Sequence, residues 1–285
     1  MPDLSRVQVT LDDHVLSLLT AGPEDGEPVV LLHGMPTGAE LWRDVLSRLA
    51  AAGYRGLAPD LPGYGLTRVP ARADHSLAGA AELVAAWVRR DFAGPVWVVG
   101  HDLGGAVAQI LTVRHPDLVA RLSLTNTVVD ASWPILPIRL LRALATARLY
   151  PATTAAHALP NPYVRRELAR GFADPSRFAQ VPVRRIFFDG KMVDPEGRRT
   201  FARHLRALDA ADTRAVVADL PGVRAPTQLV WGMADVFQPW ARVGRRLESL
   251  LPRPHVTLLE RCGHFTPLEC PGPLTAAMLA FREGT

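Results

Sequence analysis

Residues Val98–Gln109 read VVGHDLGGAVAQ, and the reading of this stretch decides the fold. The apolar run PVWVVG ending at Gly100 has the length and β-branched content of a buried strand. Leu103 to His115 has the composition of a helix, and Pro116 closes it. Gly100, Gly104 and Gly105 surround the junction. A strand that turns directly into a helix brings backbone against backbone, where a Cβ would clash. Asp102 therefore sits at the apex of a Gly-x-Asp-x-Gly turn, at the start of a helix whose dipole favours a negative group. Turns of this shape usually present a hydroxyl for attack on esters. Here the apex is a carboxylate.

Strand–helix alternation extends in both directions from this turn and predicts an α/β fold, a mostly parallel sheet flanked by helices. Upstream, RVQVTL and HVLSLLTAG read as an opening hairpin, PVVLLHG as a buried strand, residues 39–52 as an amphipathic helix, YRGLAPD as a strand, and residues 77–92 as a helix. Downstream, ARLSLTN is another strand. Between about Asp130 and Gly222 the rhythm breaks into helical segments separated by prolines. Alternation then resumes with TQLVWG, a helix near Trp240–Leu251, HVTLLE and a last helix over Pro273–Arg282. The expected organisation is a core over residues 1–129 and 223–285, with residues 130–222 inserted as a helical lid over the carboxyl ends of the strands.

A chain of 285 residues with 48% hydrophobic and 21% charged residues has the composition of a globular domain with a sizeable core. No window approaches the roughly 18 uninterrupted apolar residues of a membrane span, and the N-terminus lacks a signal-peptide pattern, so a cytoplasmic location is expected. The net charge is +4, yet the arginines are scattered and Lys191 is the only lysine. The charge reads as a solvated surface, and neither nucleic acid nor membrane is expected as a partner. Cys262 and Cys270 are the only cysteines. Two thiols near His264 fall short of a zinc set, so no metal and no cofactor are expected.

Three further features fall at strand ends. His33-Gly34-Met35-Pro36 directly follows a strand, where its turn can aim the Met35 amide at the space above Asp102. The Leu103 amide would supply a second donor, completing an oxyanion hole. Asp235 follows TQLVWG, and His264 follows HVTLLE. Each residue alone fits a plain turn or a satisfied core position. Together they give the order nucleophile, acid, histidine, with every member placed after a strand.

On these residues the chain resembles the α/β-hydrolase superfamily over nearly its whole length. HGMPTGAELWR and GHDLGG resemble the branch that holds epoxide hydrolases and haloalkane dehalogenases. That resemblance implies an aspartate nucleophile. Asp102 would attack a saturated carbon, and His264, oriented by Asp235, would activate the water that cleaves the ester. Some members of the branch carry the acid after the sixth strand. Here that position falls near Asn126, which cannot ionise, so Asp235 is preferred and Asp130 kept as the weaker alternative.

The same resemblance frames the leaving group. Haloalkane dehalogenases hold the halide with a tryptophan after the nucleophile and often an asparagine in H-G-N-P. This chain has Leu103 and Met35 there, whose side chains donate nothing. Fluoroacetate dehalogenases carry arginines just after the nucleophile, where this chain has Leu103 and Ala106. Epoxide hydrolases protonate the opening ring with lid tyrosines. Tyr150 and Tyr163 are the candidates, with His157 and His204 in the same region and Trp133, Trp231 and Trp240 as other donors. The expected substrate is a small, largely apolar organic molecule that reacts with water, best an epoxide, with a haloalkane or haloacid as the rival. A non-covalent lyase or isomerase and a ligand-binding protein with a relict site are the other classes. A homodimer is compatible with all of them.

Overall fold

The computed structural model describes residues 3–149, 162–188 and 195–284, apart from the side chains of Pro137, Tyr163 and Phe188. Eight strands form one sheet: β1 (Ser5–Leu11), β2 (His14–Ala21), β3 (Pro28–Leu32), β4 (Arg55–Pro59), β5 (Val96–Asp102), β6 (Val119–Thr127), β7 (Thr227–Gly232) and β8 (His255–Leu259). Their spatial order is β1-β2-β4-β3-β5-β6-β7-β8. Only β1/β2 and β2/β4 pair antiparallel; all pairs from β4 to β8 are parallel. This is the mostly parallel sheet that the alternating pattern predicts.

The central strands are apolar on both faces because helices cover both. Val29, Leu31, Trp97 and Val99 point to one side, against α1 (Arg43–Ala51) and the C-terminal helix Pro271–Glu283. Val30, Leu32 and Val98 point to the other, against α2 (Leu77–Asp91) and α3 (Leu103–Arg114). Helix boundaries agree with the sequence expectation to within two residues, with two changes of type. Residues 39–42 form a 3₁₀ turn before α1, and residues 240–244 a π turn before the helix Arg245–Leu250.

Topology fixes where a ligand can sit. After β3 the chain moves outward to β4, and after β5 it moves the other way to β6, so the strand order reverses between β3 and β5. The crevice beyond the carboxyl ends at such a switch point is the usual binding place in open α/β sheets. Met35 follows β3, and Asp102 ends β5.

Residues between β6 and β7 include α4 (Leu136–Thr146) and the helices Pro162–Ala169, Pro195–Ala207 and Ala211–Val216; the described residues there contain no strand. A cluster of Leu168, Phe172, Phe178, Val183, Ile186 and Phe187 joins this insert to Phe265 of the core. Phe187 and Phe265 are almost wholly buried, and each such ring contributes roughly 1.5–3 kcal/mol through its apolar burial.

Candidate active site

The β5–α3 turn holds Asp102 in a conformation that few non-glycine residues adopt, with φ 49° and ψ −122°. Neighbouring bonds hold it there. Thr127 Oγ1, at the end of β6, donates to the Asp102 carbonyl at 2.7 Å. Gly104 passes so close to β3 that an added Cβ would lie 2.5 Å from the Leu32 carbonyl carbon. Asp102 is 8% exposed at the start of α3.

Across the switch point, the Gly34–Met35 peptide is oriented by its carbonyl. The Gly34 oxygen accepts from the Thr37 amide at 3.0 Å and the Thr37 hydroxyl at 2.9 Å. His33 Nε2 accepts the Leu61 amide at 2.9 Å, so its proton resides on Nδ1, which donates to the same Gly34 oxygen at 3.0 Å. In a trans peptide the N–H points opposite to the C=O. The Met35 N–H is thereby turned to Asp102 and donates to Oδ2 at 2.8 Å. The Leu103 amide, first of α3, acts in the same sense and favours the charged form of the carboxylate. Gly34 is required by packing, since a Cβ on it would lie 2.5 Å from the Asp102 Cβ and 2.8 Å from its Cγ. Pro36 follows through a cis peptide bond.

His264, after β8, and Asp235, after β7, meet this carboxylate from the other side. His264 Nδ1 donates to Asp235 Oδ2 at 2.9 Å, and His264 Nε2 lies 3.9 Å from Asp102 Oδ1, too far for a hydrogen bond. Asp235 Oδ1 accepts the Phe237 and Gln238 amides at 2.7 and 2.9 Å. All three side chains are buried.

Asn126 completes this arrangement. Its Nδ2 donates to Asp235 Oδ2 at 2.8 Å, while its Oδ1 accepts from the Gly232 amide at 2.9 Å and the Thr266 hydroxyl at 2.6 Å. Sequence reading notes Asn126 only as a position that cannot ionise. Its φ of 41° is a conformation asparagine tolerates better than most residues, and that tolerance at the end of a strand is the available sequence signal. Asp130, the weaker alternative for the acid, instead pairs with Arg246 at 3.5 Å.

Electrostatics follow from burial and from these contacts. Burial pushes the Asp102 carboxyl above its ordinary range, against the pull of His264 and of the Leu103 and Met35 amides. Burial also acts to raise Asp235, but the charge and hydrogen bond of His264, with the Gln238 and Asn126 donors, hold it below its ordinary value. For His264 burial acts downward, yet Asp235 and Asp102 outweigh it and raise the imidazole. His101, between Gly100 and Asp102, is pushed down to about 3, mainly by burial and then by His264. Its Nε2 pairs with the His264 carbonyl at 2.9 Å, tying β5 to the histidine loop as a neutral donor.

The remaining candidates lie elsewhere. Tyr150 and His157 fall outside the described residues, and Tyr163 belongs to helix Pro162–Ala169 with its side chain outside them. His204 is buried, with Nδ1 on the His75 carbonyl and Nε2 on the Tyr64 hydroxyl, each at 2.9 Å. Trp133 Nε1 donates to Thr213 Oγ1 at 3.0 Å and Trp231 Nε1 to the Gln238 carbonyl at 2.9 Å, while the Trp240 ring packs on Trp231. Among the described residues no group of three or more His, Cys, Asp or Glu side chains could hold a metal ion, and no helix is long and apolar enough to cross a membrane.

Comparison with known proteins adds to this geometry. An alpha/beta hydrolase family model matches residues 29–277. An AB hydrolase superfamily protein from Bacillus subtilis is 27% identical over 276 residues, covering 94% of each chain. A haloalkane dehalogenase from Mycobacterium marinum is 34% identical over 160 residues, which span 50% of this chain and 54% of that one. Among solved structures, an epoxide hydrolase superposes with a TM-score of 0.77 at 23% identity, covering 98% of each chain, a likeness of fold.

Proposed function

The chain belongs to the alpha/beta hydrolase family, and on that premise we propose that it hydrolyses small, largely apolar electrophiles through an alkyl ester of Asp102, with epoxides opened to diols as the substrate class. The observation that carries this reading is the 2.8 Å bond from the Met35 amide to Asp102 Oδ2. It divides the carboxylate into two oxygens with different work. Oδ2 rests on the backbone donors, and Oδ1, on the side of His264, is the nucleophile.

In the first step Oδ1 forms a bond to a saturated carbon of the substrate, and the carbon–oxygen bond of the strained ring breaks. The released alkoxide takes a proton from an acid of the insert, which we read as a lid over residues 130–222, with Tyr163 and Tyr150 as candidate donors. In the second step His264 Nε2 removes a proton from water, and the hydroxide adds to Cγ of the ester. Oδ2 becomes the oxyanion in place, already held by the Met35 amide, with the Leu103 amide as the second proposed donor, so the first donor needs no rearrangement. Collapse breaks the bond between Cγ and the alkyl oxygen, and the imidazolium returns its proton to the departing alkoxide; the second water proton, left on the new carboxyl, passes through solvent to the lid acid, which restores that acid and the Asp102 carboxylate together. The balance is epoxide plus water to diol.

The charge arrangement suits this order. Asp102 is among the groups that raise His264 in the free protein. Esterification removes that charge, which eases loss of the imidazole proton when the base is needed. Asp235 keeps the proton on Nδ1 and stabilises the imidazolium.

A halide leaving group is the second reading, favoured by the similarity to the mycobacterial haloalkane dehalogenase. Against it, the Trp133 and Trp231 indole N–H groups are committed to Thr213 and Gln238. The test replaces His264 with glutamine and incubates the variant with styrene oxide and with 1-bromobutane. Intact mass and peptide mapping should find the adduct on Asp102. A variant that converts either compound without becoming alkylated refutes the ester route, and alkylation by the bromide alone selects the second reading.

A further inference from the structure

Glu269, the last residue of the helical turn Thr266–Glu269, is a carboxylate that the reaction above does not use. Its residue is 7% exposed, and it accepts backbone amides from two separate parts of the chain. Gly263, directly before His264, donates to Oε2 at 2.6 Å. Ala173 of the insert donates at 3.0 and 3.1 Å to the two oxygens, and Asp174 at 3.4 Å. In return the His264 amide donates to the Gly171 carbonyl of the insert at 2.6 Å. The loop that carries the histidine is thus bonded to residues 171–174 in both directions, through one buried anion. The guanidinium of Arg177, also in the insert, lies 3.9 Å from Oε1.

Asp102 and Asp235 are held differently. Asp102 rests on its own turn, on Met35 and on Thr127. Asp235 rests on Phe237, Gln238 and Asn126. Neither group bonds Glu269; the histidine loop reaches them through the His264 carbonyl on His101 and Thr266 on Asn126, whereas Glu269 alone bonds the Gly263 amide directly before His264, so a change at Glu269 acts first on the histidine.

We propose that Glu269 is a positioning residue for His264, fixing the histidine loop on the insert so that Nε2 stays turned to the Asp102 ester, and making that alignment depend on the seated insert. The proposal rests on the alkyl-ester reading. Buried charge-assisted bonds to amides are short and strong, which suits a fixed anchor. A glutamine at this position keeps the shape but offers one acceptor and two donors where the carboxylate offers two acceptors.

The test is single-turnover kinetics of E269Q and E269D with styrene oxide, resolving Asp102 alkylation from ester hydrolysis by quenching and mass measurement, with melting curves alongside. E269Q should slow hydrolysis about 10- to 100-fold, the scale of a misplacement near 1 Å, and leave alkylation within about threefold. E269D, which keeps the charge, should recover part of the loss. Hydrolysis unchanged in E269Q, equal loss of both steps, or unfolding of both variants would overturn the proposal, since the carboxylate would then serve nothing or only the fold. The H264Q variant separates this from the underlying reading. If H264Q accumulates ester and E269Q does not, the positioning role alone fails; if H264Q forms no ester, both fail together.

Discussion

Replacement of Asp235 by asparagine isolates the role of one hydrogen atom. The Oδ1 position accepts two backbone amides, from Phe237 at 2.7 Å and Gln238 at 2.9 Å. An NH₂ group turned into that position would face two donors and leave them unpaired, at about 1–3 kcal/mol each. The oxygen of the new side chain therefore stays there, and the NH₂ takes the place of Oδ2. That place lies 2.9 Å from His264 Nδ1 and 2.8 Å from Asn126 Nδ2. Asparagine then donates to Nδ1, the imidazole proton moves to Nε2, and the atom that should accept a proton from water already carries one. A wrong tautomer of this kind costs a factor of about 10⁴ in triad enzymes, equivalent to roughly 5.4 kcal/mol of barrier at 1.36 kcal/mol per tenfold. Asn126 in addition loses a charged acceptor, worth roughly 1.5–3 kcal/mol of stability. Stopped-flow mixing with styrene oxide, followed by quenching and intact mass, should show ester forming at near the wild-type rate and persisting about ten thousand times longer. Hydrolysis within tenfold of wild type, or alkylation falling as far as hydrolysis, would refute the tautomer argument.

Gly34→Ala brings a methyl onto the Asp102 side chain, 2.8 Å from Cγ in the unrelaxed geometry, and should withdraw the Met35 amide from Oδ2. The expected loss is about 10²–10³ in ester hydrolysis, read by the same quench assay with a melting curve to show retained folding. In the free protein NMR titration of His264 should give a pKa above 6.5, because Asp235 and Asp102 outweigh the downward effect of burial. The pH midpoint for hydrolysis of preformed ester should fall below that titration, since alkylation removes the Asp102 charge; coincident midpoints would contradict the coupling. His101 adds an acid-side instability. Its folded pKa of about 3 lies below the ordinary 6.5, so between those values the unfolded chain binds a proton that the folded chain refuses. Stability contributed by neutral His101 is present above pH 6.5 and is lost as pH falls, toward a limit of about 5 kcal/mol at 1.36 kcal/mol per unit. Urea midpoints measured from pH 7 to 5 should fall less steeply for His101→Gln than for wild type, and parallel slopes would contradict this.

The Gly-x-Asp-x-Gly turn and the sheet were legible in the sequence because both depend on local rules. Steric exclusion at Gly100 involves Gly104 and Gly105, only a few residues on, and periodicity marks which strands are buried on both faces. The approach of Asp235 and His264 to Asp102 was legible through chain order alone. Asn126 was not, because its work is long-range: its amide bridges the end of β6 to Gly232 and Asp235, more than a hundred residues later. Glu269 reads in the sequence as one polar residue beside Cys270 on a short turn, and only the folded chain brings Ala173 to it. The tyrosines of the insert were inferred from resemblance. Tyr150 lies outside the described residues, and the hydroxyl found buried near His33 is that of Tyr64, bonded to His204.

An aspartate at this apex changes what the backbone donors are for. With a serine nucleophile the donors must receive the carbonyl oxygen of an incoming ester, so they have to be open to substrate. Here Asp102 Oδ2 itself takes the Met35 amide at 2.8 Å. An ester substrate would have to displace a buried anion from its donor, losing a charge-assisted bond worth roughly 1.5–3 kcal/mol before any chemistry. Attack by the carboxylate would then yield a mixed anhydride. A saturated carbon makes no claim on those donors. It needs only Oδ1 and a path for its leaving group, and in the proposed ester the carbonyl would use the donor that Oδ2 never left. On the alkyl-ester proposal, a preference for alkyl over acyl transfer would be carried by which oxygen the Met35 amide holds. Asp102→Ser tests it directly. Removing the carboxylate frees the amides, so the variant should lose epoxide opening while gaining slow hydrolysis of an activated ester such as p-nitrophenyl acetate. Ester hydrolysis by the wild-type protein as fast as by the variant would show that the hole was open all along.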